Sequence, residues 1–223
     1  FMFGHHDDTN YGIGWEGDEG RSDVKSVCGD YPAVISFDLG HIELGDTMSL
    51  DKVPFTKIRK EILNQYKRGG MSSLSWHLRN PLTGGDSWDV SDTTVVKSIL
   101  PGGENHQKFA GWLGGVADFL HSLKTADGVK IPVLFRPWHE HSGSWFWWGE
   151  KLCTPEEYKA LWHMTVDTLQ AKGVDNALYA YSPGTEPKDT TEYLKKYPGD
   201  ELIDVIGFDT YQFDPVSYTH LTL

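Results

Sequence analysis

The chain has 223 residues, with 20 Lys and Arg against 32 Asp and Glu and a formal net charge of -12. A length of this order suits one large domain, and acids scattered along the chain make nucleic acid and anionic lipid unfavourable partners. No apolar run is long enough for a membrane span, and no signal-peptide pattern, linker or repeat stands out, so a neutral substrate suits this surface.

The opening FMFGHHDD reads as an apolar strand already under way near 1–4, as if the sequence began inside a longer protein. PAVISFDL, 32–39, gives a second strand near 33–38 that ends in a carboxylate, and MSSLSWH, 71–77, gives a third near 71–76 that ends in a histidine. Further strands are expected near 131–136, 177–181 and 203–208. These runs read as buried strands with both faces apolar. Between them the period changes. KIRKEILNQYKRGG, 57–70, ends on glycines that suit a helix C-cap. In 107–124, Phe109, Trp112, Leu113, Val116, Phe119, Leu120 and Leu123 recur at helical steps. The next helix carries its own punctuation: Thr154 as N-cap, Pro155 in the first turn, Glu157 closing a capping box and Gly173 past the end.

Repeated βα units imply a parallel sheet, either closed as a (β/α)8 barrel with about six of eight units present here, or open and doubly wound. No glycine-rich nucleotide motif follows the first strand. His5, Asp7, Asp38, His77, Arg136, Glu140, Ser182 and Asp209 all fall at C-terminal ends of expected strands, where a barrel builds its site.

The densest chemistry lies in RPWHEHSGSWFWWG, 136–149. Burial of Glu140 beneath tryptophans disfavours its charged form, the property a general acid needs; a structural ion pair with Arg136 is the alternative. Trp145, Trp147 and Trp148 suit the apolar C–H face of a sugar. Trp76 and His77, and Asp209 and Tyr211, are placed to hold hydroxyls, with a satisfied core histidine as the alternative for His77. HHDD, 5–8, and HEH, 139–141, raise metal binding, but adjacent strand residues point to opposite faces and His-x-x-x-His spacing is absent, so neither a resident metal nor a cofactor is expected. Cys28 and Cys153 sit in no metal or redox spacing and could be bonded or free.

These motifs, with FGHHDDTNYGIGW, SDVKSVCGDYPAVISFDLGHIE, SWHLRNPLTGG, YAYSPG and YPGDELIDVIGFDTYQ in the same order, resemble glycoside hydrolase family 26, best known for β-mannanases. The resemblance implies a (β/α)8 barrel and retaining hydrolysis of β-1,4-mannan, galactomannan or glucomannan. It implies Glu140 as acid/base with His139 beside it, and His77, Arg136, Trp145, Asp209 and Tyr211, with Trp88 a weaker match, as subsite residues. It further implies a nucleophilic glutamate at the end of a seventh strand; none is found before the sequence ends, and 216–223 resembles a foreign tail after a single catalytic domain, 1–215. Asp7, Asp38, Glu43 and Asp209 are the alternatives for a second carboxylate. A carbohydrate-binding protein without catalysis, a metal-dependent hydrolase on His5, His6 and Asp7, and family hydrolases of β-1,3-xylan or mixed-linkage β-glucan are the competing readings. A secreted, cell-surface or periplasmic monomer is the expected setting.

Overall fold

The structure, a computed structural model, describes residues 2–211; the segment 216–223 and the end of the expected domain lie outside them. Six parallel strands form one sheet, β1 (Gly4–His6), β4 (Val34–Asp38), β5 (Met71–Ser75), β6 (Val133–Arg136), β7 (Ala177–Tyr181) and β8 (Val205–Ile206), in that order across the sheet. A two-stranded antiparallel pair, β2 (Tyr11–Gly12) and β3 (Trp15–Glu16), branches from the first crossover. Because each strand lies beside its predecessor in the sheet, the order never reverses as it does in a doubly wound sheet. These are six of the eight units of a (β/α)8 barrel.

The helices are α1 (Asp23–Cys28), α2 (Phe55–Lys67), α3 (Val95–Ile99), α4 (His106–Ser122), α5 (Pro155–Ala171) and α6 (Thr190–Leu194). On α4 the apolar stripe Phe109, Leu113, Val116, Phe119 and Leu120 is buried, as its spacing requires. At the start of α5, Thr154 accepts from the Glu157 amide while the Glu157 carboxylate accepts from the Thr154 amide. That satisfies two of the free amides of the first turn. Gly69, just past α2, has φ +81, a left-handed value that glycine tolerates best.

Side chains alternate along each strand. Ile35, Phe37, Leu74, Val133, Phe135 and Tyr179 point to the core that the helices cover, with α2 packed on β4 and β5 and α4 beside α5. The other face, which also carries Leu134, Leu178 and Ala180, corrects the expectation of strands apolar on both sides for β4 and β5. It carries Ser36, Asp38, Ser73, Ser75 and Arg136, and the register aligns Asp38 with Ser75 and Ser75 with Arg136 in one row across three strands. The first strand also lies later than expected, at Gly4–His6 rather than 1–4, because pairing with Val34, Ile35 and Ser36 fixes its register.

Candidate active site

The row Asp38, Ser75 and Arg136 is the floor on which the site is built. Asp38 accepts from the Gly40 amide (2.7 Å), the His77 amide (3.1 Å), the Ser75 hydroxyl (2.6 Å) and His77 Nδ1 (2.7 Å). Burial alone would raise its pKa, yet these donors and the His77 ring hold it well below the usual carboxylate range. Its charge fixes His77 with Nδ1 toward the acid, leaving Nε2 for His139 Nε2 at 3.0 Å. His139 is fully buried; burial first, then the Arg136 guanidinium and His77, hold its pKa well below the usual histidine range. His139 is therefore neutral, and a single hydrogen lies between the two rings.

The turn after β6 is bent by backbone rather than by glycine. Trp138 (φ 56) and Glu140 (φ 55) both take left-handed values, which cost a non-glycine residue of order 1 kcal/mol or more each. The bend lifts Glu140 to the end of the strand, 6% exposed, with its amide donating to Ser182 O at 2.7 Å. Trp145 Nε1 donates to Glu140 Oε2 at 2.8 Å and the Tyr211 hydroxyl donates to Oε1. Burial first, and then this carboxylate, push the Tyr211 hydroxyl up to about 12.

Arg136 does not pair with Glu140, so the ion-pair alternative is set aside. Its Nη1 donates to both oxygens of Asp209 (2.9 and 2.8 Å) and to Ser182 Oγ (3.2 Å). Burial nonetheless leaves Asp209 with a raised pKa despite that partner.

Around Glu140 lies a cleft of about 600 Å³ lined by His77, Trp88, Trp145, Phe146, Thr185, Glu186 and Tyr211. Trp88, 51% exposed, stacks on His77 with ring planes 12° apart; Trp145 is 36% exposed. Both present ring surface to solvent, and Trp88 lines the cleft as Trp145 does. Trp147 and Trp148 do not: both are fully buried, and Trp148 Nε1 donates to His139 O. They support the turn from beneath, which corrects their reading as sugar platforms. Trp76 is likewise core, its Nε1 donating to Glu43 Oε2 at 3.0 Å. The sequence reading missed Phe146, Thr185 and Glu186. Phe146 lay in the aromatic run, whereas Thr185 and Glu186 enter through the loop after β7, where Gly184 N and Glu186 both bind Ser142 Oγ, a contact no local pattern foretells.

The alternative second carboxylates are engaged elsewhere. Asp38 holds His77, and Glu43 holds Trp76 and the Arg79 amide. Asp7 accepts from Asn10 Nδ2 at 2.7 Å. His6 and Asp7, though adjacent, do meet: Asp7 has φ 48, which breaks strand alternation and brings its Oδ2 to 3.2 Å from His6 Nε2, with Asp51 Oδ2 at 3.9 Å. Burial opposes it, but the two carboxylates push the His6 pKa up to about 10, so the ring acts as their cation. Among the described residues His5 is drawn instead to Asp8 at 3.2 Å, and His139 and His141 turn to different partners, so HEH is not a shared ligand set. Cys28 is exposed, Cys153 is buried, and they are not bonded to each other.

The sequence and the parallel sheet are both matched among known proteins. The chain matches "Glycosyl hydrolase family 26" over residues 1–221. It is 40% identical over 219 residues to a mannan endo-1,4-beta-mannosidase of Bifidobacterium adolescentis, covering 95% of this chain and 21% of that protein. A mannan endo-1,4-beta-mannosidase of Bacillus subtilis is 29% identical, with 96% of this chain and 58% of that protein covered. Among solved structures, a GH26 beta-mannanase from Bacteroides ovatus superposes with TM-score 0.95 at 68% identity, covering 96% of this chain and 62% of that one. An endo-beta-1,4-mannanase of Cellulomonas fimi gives TM-score 0.86 at 37% identity, with 94% and 48% covered. The chain thus spans less than two thirds of the length of each of these relatives. Fold and sequence agree along the chain, and the chain belongs to glycosyl hydrolase family 26.

Proposed function

We propose that this chain is the larger part of the catalytic barrel of an endo-acting β-1,4-mannanase, taking mannan, galactomannan or glucomannan, with Glu140 as general acid/base and retention of configuration. The observation that carries the proposal is the seat of Glu140: a carboxyl group at the end of β6, hydrogen-bonded by Trp145 and Tyr211, in a cleft whose exposed walls are aromatic. A pyranose offers an apolar face to such rings and hydroxyls to His77, to which the family resemblance adds Arg136 and Asp209 beside the cleft, and it needs no charge of its own. The names of the relatives favour mannan over other β-glycans.

The chemistry follows from the donors. Trp145 can only donate, whereas the Tyr211 hydroxyl donates or accepts. Oε1 is therefore the oxygen that can carry a proton and keep its hydrogen bond. From there the proton passes to the glycosidic oxygen as the C–O bond breaks. In the second half, the Glu140 carboxylate takes a proton from the water that attacks the anomeric carbon, which releases the sugar and restores the acid. Retention also needs a second carboxylate about 5–5.5 Å away to form the glycosyl-enzyme; the family resemblance assigns that role to a glutamate after a seventh strand. A polymeric substrate places the protein outside the cytoplasm or at the cell surface, and the barrel works as a monomer.

Galactomannan viscosity and reducing-end release, followed together, test the reading. Endo action predicts that viscosity collapses while few ends have formed, and proton NMR of early products predicts the β-anomer first. Proportional loss of viscosity and gain of ends, or the α-anomer first, contradicts it.

A further inference from the structure

Beneath Glu140 lies a buried polar cluster that the proposed reaction does not use. The ring of His141, the residue after Glu140, sits between two tyrosine hydroxyls from different elements. Tyr158, in the first turn of α5, places its hydroxyl 2.9 Å from His141 Nδ1 and 2.6 Å from Trp138 O. Tyr181, at the end of β7, places its hydroxyl 3.0 Å from His141 Nε2 and 2.8 Å from Tyr193 O. Lys196 is the charged group that faces this cluster; it is 2% exposed and held by the carbonyls of Gly149 (3.2 Å) and Cys153 (3.3 Å) and by Glu150 (3.2 Å).

Each hydroxyl faces one carbonyl that can only accept, Trp138 O for Tyr158 and Tyr193 O for Tyr181, so a neutral ring donates to one tyrosine and faces the other as an acceptor. The shorter hydroxyl–carbonyl contact is that of Tyr158 (2.6 Å against 2.8 Å), which commits the Tyr158 hydrogen to Trp138 O and makes His141 Nδ1 the donor to Tyr158 Oη. Burial, and then the Lys196 ammonium, bring the His141 pKa down to about 3, so the ring is neutral and Nε2 carries no hydrogen. Tyr181 then has one hydrogen for two acceptors, His141 Nε2 and Tyr193 O.

The cluster grips the strained turn on both sides of Glu140. Tyr158 holds the carbonyl of Trp138, the first left-handed residue, and the ring of His141, the residue after the second. Ser182, next to Tyr181, accepts the Glu140 amide. Without these bonds a backbone carrying two left-handed residues gains by relaxing toward ordinary φ, and any relaxation swings the Glu140 carboxyl away from the scissile oxygen.

We infer that His141 is a positioning residue: clamped as the Nδ1–H tautomer between Tyr158 and Tyr181, it locks the Trp138–Glu140 turn and so aims the acid/base carboxyl. This rests on the proposed role of Glu140. The test exploits the leaving group, since a poor one needs a proton and a dinitrophenolate does not. The kcat/KM values of the protein extended through its seventh and eighth barrel strands, and of its variants, are measured on mannotetraose and on 2,4-dinitrophenyl β-mannobioside. His141→Leu is expected to lose about 10- to 100-fold on mannotetraose, the cost of displacing a catalytic group by about 1 Å, and to stay within about threefold on the activated glycoside. Glu140→Ala is expected to show the same split, larger. If Glu140→Ala shows no split, the acid assignment falls; if it does and His141→Leu loses equally on both substrates or on neither, the positioning role alone falls.

Two further readouts are independent of His141→Leu folding or of turnover. Tyr158→Phe keeps the ring packing but frees both Trp138 O and His141 Nδ1, and is expected to reproduce the split; wild-type ratios overturn the inference. Side-chain nitrogen NMR is expected to show His141 as a single neutral Nδ1–H tautomer down to about pH 4, above its depressed pKa of about 3; a mixed or doubly protonated ring overturns it.

Discussion

At the scale of single residues, the site works by giving each polar group one task. Asp38 orients His77, Arg136 and Asp209 hold each other, and Glu140 is left facing the cleft between Trp145 and Tyr211. Tyr211→Phe removes, among the described residues, the partner of Glu140 that can both donate and accept, and is expected to lower kcat on mannan about tenfold with little change in KM; a rise in KM alone would assign Tyr211 to sugar binding only. The buried histidines predict an acid limit to stability. An unfolded histidine takes its proton near 6.5, whereas folded His141 resists until about 3, so below pH 6.5 the unfolded state binds more protons and stability falls as pH falls. His141 contributes about 1.4 kcal/mol per pH unit across that window. His139, also depressed, adds to the slope. Urea titrations from pH 7 to 4 check this: His141→Gln should flatten the fall, and an unchanged slope would contradict a neutral buried ring.

The elements show why some of this was legible in the sequence and some was not. The expected 177–181 and 71–76 strands match β7 and β5 closely because short apolar runs bounded by turn residues leave little choice, and the α5 capping box is a local pattern with a local structure. β2, β3, α1 and α6 went unread: they are two to six residues long, too short for a period to show. Trp147 and Trp148 were read as platforms because composition marks an aromatic run as special but not which rings face outward; the left-handed Trp138 and Glu140 decide that, and φ is not written in sequence. The cap matters to the site, since Tyr158 stands in the first turn of α5. Thr154→Ala is expected to cost about 1 kcal/mol, a fall of about 2–4 °C in Tm for a chain of this size; no fall would mean that neighbouring packing alone fixes the helix start. Lys196, just beyond α6, pins the loop 149–153 through buried carbonyls. Lys196→Ala is expected to destabilise by about 3 kcal/mol, because those buried carbonyls lose a charged donor while Glu150 keeps only Lys195, and urea unfolding checks it.

For the whole molecule, the sheet's sequential order explains how distant segments become one site. Each βα unit advances the sheet by one strand and returns its polar C-terminal residue to the same end, so Asp38, His77, Arg136, Glu140, Ser182 and Asp209 converge although they span 172 positions of sequence, from 38 to 209. The chain carries a net charge of -12, whereas the proposed substrate is a neutral polymer. Binding of mannohexaose is therefore expected to be nearly independent of salt, in contrast to a polyanion ligand; calorimetry at low and high ionic strength checks it. The account turns on Glu140 as the acid/base of mannan hydrolysis, and the most direct measurement is reducing-end release from soluble galactomannan by the protein extended through its seventh and eighth barrel strands and by the Glu140→Ala variant of that protein. The account predicts release that falls by about 10²–10⁴-fold in the variant, with galactomannan binding retained; equal release by both would contradict it.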